Sequence, residues 1–176
     1  MTSSSDQSNL FRQIIMDHYK NPRNKGLASD PRGYMTVHLK NPSCGDDLTV
    51  QLLVEGEVIR EIRQSGEGCS ICCASASMMS ELLESSTISE ATEIIRNFNL
   101  MVKAEPFDEE AIGDALSLQG VSHLPQRVKC ATLGWQATER GLERIRQNRL
   151  AGEDSTGLSQ GGHIDADVEK EENYEA

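Results

Sequence analysis

Apolar residues along this chain change period twice, and the changes divide it into a helix, a group of strands and a second group of helices. Leu10, Phe11, Ile14, Ile15, His18 and Tyr19 recur at helical spacing, and Asn21-Pro22 ends that run. Tyr34 to Leu39 then alternates as a strand. Asp47 to Val54 is a second strand, with Leu48, Val50 and Leu52 on one face. Glu55-Gly56 reads as a tight turn into a third strand through Val58, Ile59 and Ile62. The period returns to helical from about Ser70 to Leu83. Thr87 or Ser89 can cap another helix with Ile94, Ile95 and Phe98 inward. A short helix over about Glu109 to Leu116 follows. A long one from about Gln126 to Arg146 has Val128, Leu133, Trp135, Leu142 and Ile145 as core positions. Strands early and helices late predict an α+β fold, a small three-stranded antiparallel sheet covered on one face by helices.

The 176 residues fit one domain with a core of its own, predicted over residues 9–150. Residues 1–8 are polar and expected to fray. Residues 151–176 carry eight acids and one base, a net −7 out of −11 for the chain. With so few large apolar groups, this segment is expected to be a disordered acidic tail. The negative charge argues against nucleic-acid binding, which draws on Lys and Arg. No apolar run is long enough for a membrane span, and the N-terminus lacks a secretory pattern. A cytoplasmic location is expected, where clustered cysteines signal metal or catalysis more than disulfides.

Five cysteines carry the chemistry. In Asn41-Pro42-Ser43-Cys44-Gly45-Asp46 the proline and glycine mark a bend, and Cys44 and Asp46, two apart, can face one ion. In Gly66-Glu67-Gly68-Cys69-Ser70-Ile71-Cys72-Cys73, two glycines lead into a helix and place Cys69 at its N-terminus, where the dipole favours thiolate. In Arg127-Val128-Lys129-Cys130-Ala131, Cys130 lies near a helix start with two cations beside it, an arrangement expected to lower its pKa. Three thiols and one carboxylate (Cys44, Asp46, Cys69 and Cys130) suit four-coordinate zinc. Such a site carries about −2 by charge counting, which Arg127 and Lys129 are placed to offset. From the residues alone it could be a structural staple, a cluster scaffold or a sulfur acceptor. Cys72 and Cys73 read as small core cysteines, with Cys72 alternatively a redox partner of Cys69 or a spare ligand or sulfur relay. His18 reads as a packed side chain and His38 as a sheet-surface group near the site; Met78 and Met79 read as core.

These motifs, with Ile15-Met16-Asp17-His18-Tyr19-Lys20-Asn21-Pro22-Arg23-Asn24 and Ala74-Ser75-Ala76-Ser77-Met78-Met79, resemble the U-type iron–sulfur assembly proteins (IscU, the N-terminal part of NifU, and SufU) over about residues 9–148. The resemblance is nearest to the SufU branch: Lys129 stands where the IscU type has His, and the segment between Cys69 and Cys130 is longer. Cys72 and Cys73 depart from the family pattern, which has serine and a non-cysteine residue there. The resemblance implies one zinc per chain on Cys44, Asp46, Cys69 and Cys130. It also implies a sulfurtransferase-type relay: Cys44 accepts persulfide sulfur from a SUF-type PLP-dependent cysteine desulfurase, then passes it to the downstream assembly complex. Arg127 is a candidate assisting residue. The alternative cofactor is a transient iron–sulfur cluster assembled on the same thiolates.

Overall fold

The computed structural model describes residues 3–152 and 161–168. Helix α1 spans Ser4–Lys20. Strands β1 (Met35–Asn41), β2 (Asp46–Glu55) and β3 (Val58–Glu67) follow, then helices α2 (Ser70–Leu83) and α3 (Ile88–Val102). A 3-10 segment, Glu109–His123, is broken at Gly113, whose φ of 48° no regular helix continues through. Helix α4 (Pro125–Leu150) and strand β4 (Gly162–Asp167) complete the order.

The strands form one sheet in the order β3-β2-β1-β4. β1 to β3 pair antiparallel, as the alternation predicts, but β4 pairs parallel to β1, with Met35 opposite Gly162 and Lys40 opposite Asp167. The sheet is therefore four-stranded and mixed, a correction to the three-stranded antiparallel expectation. The reason is a register the acidic composition hides. Ile164 and Ala166 pack against the core, while Asp165 pairs with His38 of β1, itself bonded to Asp47 of β2. A six-residue strand too polar to stand alone gains its ladder and its counter-charge from β1. The disordered-tail expectation thus fails for 161–168, and the rest of that tail, from residue 153, lies outside the described residues. The N-terminus also departs from expectation. Ser3 and Asp6 form a reciprocal capping box, so α1 begins at Ser4 instead of fraying.

One face of the sheet makes the core: Met35, Val37 and Leu39 of β1, Leu48, Val50 and Leu52 of β2, and Ile59 and Ile62 of β3 are all buried. Helices α2 and α4 lie over it. A Cβ on Gly141 of α4 would come within 2.8 Å of the Leu52 side chain, so this glycine lets the helix sit close on the strands. Trp135 of α4 stacks on Phe98 of α3 at 3.9 Å between ring centres. Its indole N–H donates to Ser75 Oγ (2.9 Å), and that hydroxyl donates to the Ala131 carbonyl (2.6 Å). This buried chain of contacts fixes α2 against α4. The N-terminal parts of those two helices carry Cys69 and Cys130.

Candidate metal centre

The site forms where the β1–β2 turn meets the first turns of α2 and α4. Asn41 and Asp46 are paired at the ends of the two strands. The four residues between them turn tightly, with the Cys44 N–H donating to the Asn41 carbonyl (3.2 Å) and Gly45 at φ 72°. That left-handed residue is where a side chain would be strained. The turn leaves Cys44 exposed and buries Asp46, whose accessibility is 1%.

Ligand atoms of Cys44, Asp46 and Cys130 all lie within 4.8 Å of one another. Cys130, 84 and 86 positions from Asp46 and Cys44 in sequence, thus converges with them on one point. Cys69 stands outside this tightest group but is tied to it. It is the N-cap of α2, its backbone N–H donates to Asp46 Oδ1 (3.0 Å), and its Sγ accepts from the Cys72 N–H (3.5 Å). The approach depends on Gly68, where a Cβ would lie 2.5 Å from Asp46 Oδ1. The Cys44 and Cys130 thiols both point at the Gln126 carbonyl, at 3.9 and 3.6 Å.

Electrostatics argue for a cation at this point. The second carboxylate oxygen, Asp46 Oδ2, is buried with no hydrogen-bond partner among the described residues. An ionised oxygen in that position is costly unless something positive meets it. Cys130 is completely buried, and burial first, then the Asp46 carboxylate and the Cys44 and Cys69 sulfurs, push its thiol strongly up. This corrects the expectation that the helix start and adjacent cations would lower it: Lys129 is exposed and the thiol sits among negative groups. A divalent ion would reverse the sign of that environment and hold the thiolate. The donor set, soft sulfurs with one carboxylate, fits zinc in ligand type. Arg127 is exposed above the cluster, and Cys69 and then Cys130 raise its pKa, so the guanidinium lies beside both sulfurs.

Cys72 is buried and Cys73 half-buried, and burial raises both thiols; Lys25 opposes the rise only at Cys73. His38, on the inner strand β1, is engaged by Asp47 of β2 and Asp165 of β4 and is not among the grouped ligand atoms. His18 is buried, with its ring nitrogens on Ser77 Oγ (2.8 Å) and Asp114 (3.0 Å), the packed role its helical position predicts. Asp114 and Glu81 gather near it, but Glu81 also pairs with Arg23. Sequence reasoning missed Gly68 as a cradle and Asn41 as a fully buried member of the turn whose Nδ2 is unpaired among the described residues. The Gly-Glu-Gly run and the Asn-Pro pair were the available signals.

This combination, a cysteine-rich candidate metal site on a small α+β fold, belongs to a chain with known relatives. Residues 10–150 match the model of the NifU-like N terminal domain. The chain is 41% identical over 145 residues to the zinc-dependent sulfurtransferase SufU of Bacillus subtilis, covering 82% of this chain and 97% of that protein. It is 34% identical to the iron–sulfur cluster assembly scaffold protein IscU of Streptococcus pyogenes, over 80% of this chain and 87% of the relative. Among solved structures, a SUF-system cluster assembly scaffold protein from Fervidobacterium islandicum aligns with a TM-score of 0.65 at 32% identity, over 74% of this chain and 94% of that one. The chain belongs to the NifU-like N-terminal domain family, the IscU and SufU group of iron–sulfur cluster assembly proteins. No helix among the described residues is long and apolar enough to cross a membrane.

Proposed function

We propose that this chain is a zinc-dependent sulfur acceptor. It takes persulfide sulfur from a SUF-type, PLP-dependent cysteine desulfurase and relays it to the cluster assembly machinery. The observation that carries this reading is the asymmetry of the site: one thiol, Cys44, is exposed on a turn, while Asp46 and Cys130 beside it are buried. The name of the Bacillus relative, at 41% identity, supports the same role.

Cys44, Asp46, Cys69 and Cys130 would hold the zinc, which keeps ligand thiols deprotonated without redox chemistry of its own. The residues do the rest. Asp46 is oriented by the Cys69 N–H, and Cys130 is fixed by the buried α2–α4 contacts. Cys44, on its turn, can swing out to meet a partner. Its thiolate attacks the outer sulfur of the donor persulfide, the S–S bond breaks, and the donor cysteine leaves as thiolate. Arg127, exposed beside Cys69 and Cys130, is placed to steer the anionic persulfide.

The second reading is a scaffold that assembles a transient iron–sulfur cluster on the same thiolates, which the names of the Streptococcus and Fervidobacterium relatives favour. Alanine production by a cognate desulfurase under reducing conditions separates the two. The relay predicts strong stimulation by wild type and none by Cys44→Ser, with protein that is colourless and zinc-loaded. Absent stimulation, together with a visible-absorbing cluster after anaerobic iron reconstitution, would favour the scaffold.

A further inference from the structure

The Cys44 sulfur has a polar neighbour that the relay leaves unused. Asn41, Pro42, Ser43 and Cys44 form a turn closed by the Cys44 N–H on the Asn41 carbonyl (3.2 Å), with Pro42 at its second position. Within this turn the Ser43 hydroxyl donates to Asn41 Oδ1 at 3.1 Å, and Cys44 Sγ lies 3.8 Å from the same Ser43 Oγ. A hydroxyl carries one proton, so as a donor it serves the amide or the sulfur, not both. The two acceptors are unlike in mobility. Asn41 is completely buried at the end of β1, and its backbone and side-chain oxygens both accept from the turn. Cys44 is exposed and next to Ser43 in the chain, so the hydroxyl travels with the sulfur when the turn moves.

We propose that Ser43 is a hydroxyl switch for the Cys44 sulfur, resting on Asn41 while Cys44 is a metal ligand and turning to Sγ once Cys44 is released; the inference rests on the sulfur-relay reading above. Cys44 leaves with its electron pair, as a thiolate. A hydrogen bond to an ionised acceptor is about twice as strong as one to a neutral amide, so release reverses the preference of the hydroxyl. No proton is transferred. The Ser43 O–H bond stays intact, and rotation about Cβ–Oγ with a small closing of the 3.8 Å separation makes the new contact. The switch thus favours the released thiolate, the form that attacks the donor persulfide, without a positive charge beside it. Asn41 acts through Ser43 alone and is a positioning residue: it draws the hydroxyl away while the sulfur is held.

The rate at which a dipyridyl disulfide labels Cys44 in zinc-loaded full-length protein, read by acid quench and peptide mass mapping, tests this without turnover. Ser43→Ala should lower the population of released thiolate about 10-fold. Thiolate nucleophilicity rises with basicity at a slope of about 0.4–0.5, which returns about half of that loss in logarithm, so labelling should slow about 3-fold. Ser43→Thr restores a hydroxyl and should recover the wild-type rate. Asn41→Ala removes the competing acceptor and should speed labelling, an effect that vanishes in Ser43→Ala/Asn41→Ala. Zinc content and far-UV circular dichroism check each variant; if Asn41→Ala misfolds, the two Ser43 variants decide alone. Equal labelling of wild type and Ser43→Ala, or Ser43→Thr as slow as Ser43→Ala, would overturn the proposal while leaving the relay intact. Wild-type Cys44 labelled as fast with zinc as without it would overturn the zinc reading and the proposal together.

Discussion

The candidate metal site is built from two unlike halves. One is a four-residue turn carrying Cys44, exposed, with its N–H bonded back to the Asn41 carbonyl at 3.2 Å. The other is the paired starts of α2 and α4, where Cys69 and Cys130 rest on a frame locked by Trp135, Ser75 and Phe98. A turn can move at little cost because few buried contacts are lost, whereas the helical half cannot move without opening the core. The difference assigns the work. In the proposed relay, the helical half holds the metal and the turn half reaches out.

The largest expected effect is a split between the two halves. Cys44→Ser should abolish desulfurase stimulation, at least about 100-fold down, yet leave the melting temperature nearly unchanged. Cys130→Ser should release the metal on dialysis, measured by atomic absorption. If both variants lose metal equally, the two halves are not distinct. Next, Trp135→Ala removes the stacked ring and the indole donor that fix α2 to α4. It should cost about 3–5 kcal/mol in urea unfolding and loosen metal binding at a distance. A loss of stability with metal affinity unaltered would show that the frame does not hold the site. Gly68→Ala is subtler: its Cβ would collide with Asp46 Oδ1, so either the turn or α2 must shift. The expected cost is about 1–3 kcal/mol, with faster zinc release to a chelator.

The smallest effect concerns β4. Asp165→Asn removes one of the two carboxylates facing His38, at an exposed position worth under about 1 kcal/mol. Hydrogen exchange at the β1 edge should rise while β2 and β3 stay protected, and metal affinity should not move.

Much of this was legible in the sequence because the signals were local. The two-residue alternation of Leu48, Val50 and Leu52 gave β2, and the helical recurrence of Leu133, Trp135 and Leu142 gave α4. The motifs around Cys44, Cys69 and Cys130 identified the family and nominated the site, and Cys44 and Cys130 do meet with Asp46. What stayed hidden was long-range. β4 is written in a segment whose acidic composition reads as disorder, and only its register against His38 and Val37 makes it a strand. The upward push on the Cys130 thiol was equally invisible, because it comes from groups brought together by folding. Local rules favour a lowered value; burial among like charges wins.

The measurement that bears most directly on the central claim is the location of transferred sulfur. Zinc-loaded full-length protein would be turned over with cysteine and a cognate desulfurase, trapped with an alkylating reagent, digested and mapped by mass spectrometry. The account predicts sulfane sulfur on Cys44, with zinc still bound at one per chain. Sulfur found on Cys69, Cys73 or Cys130 with Cys44 unmodified would contradict it.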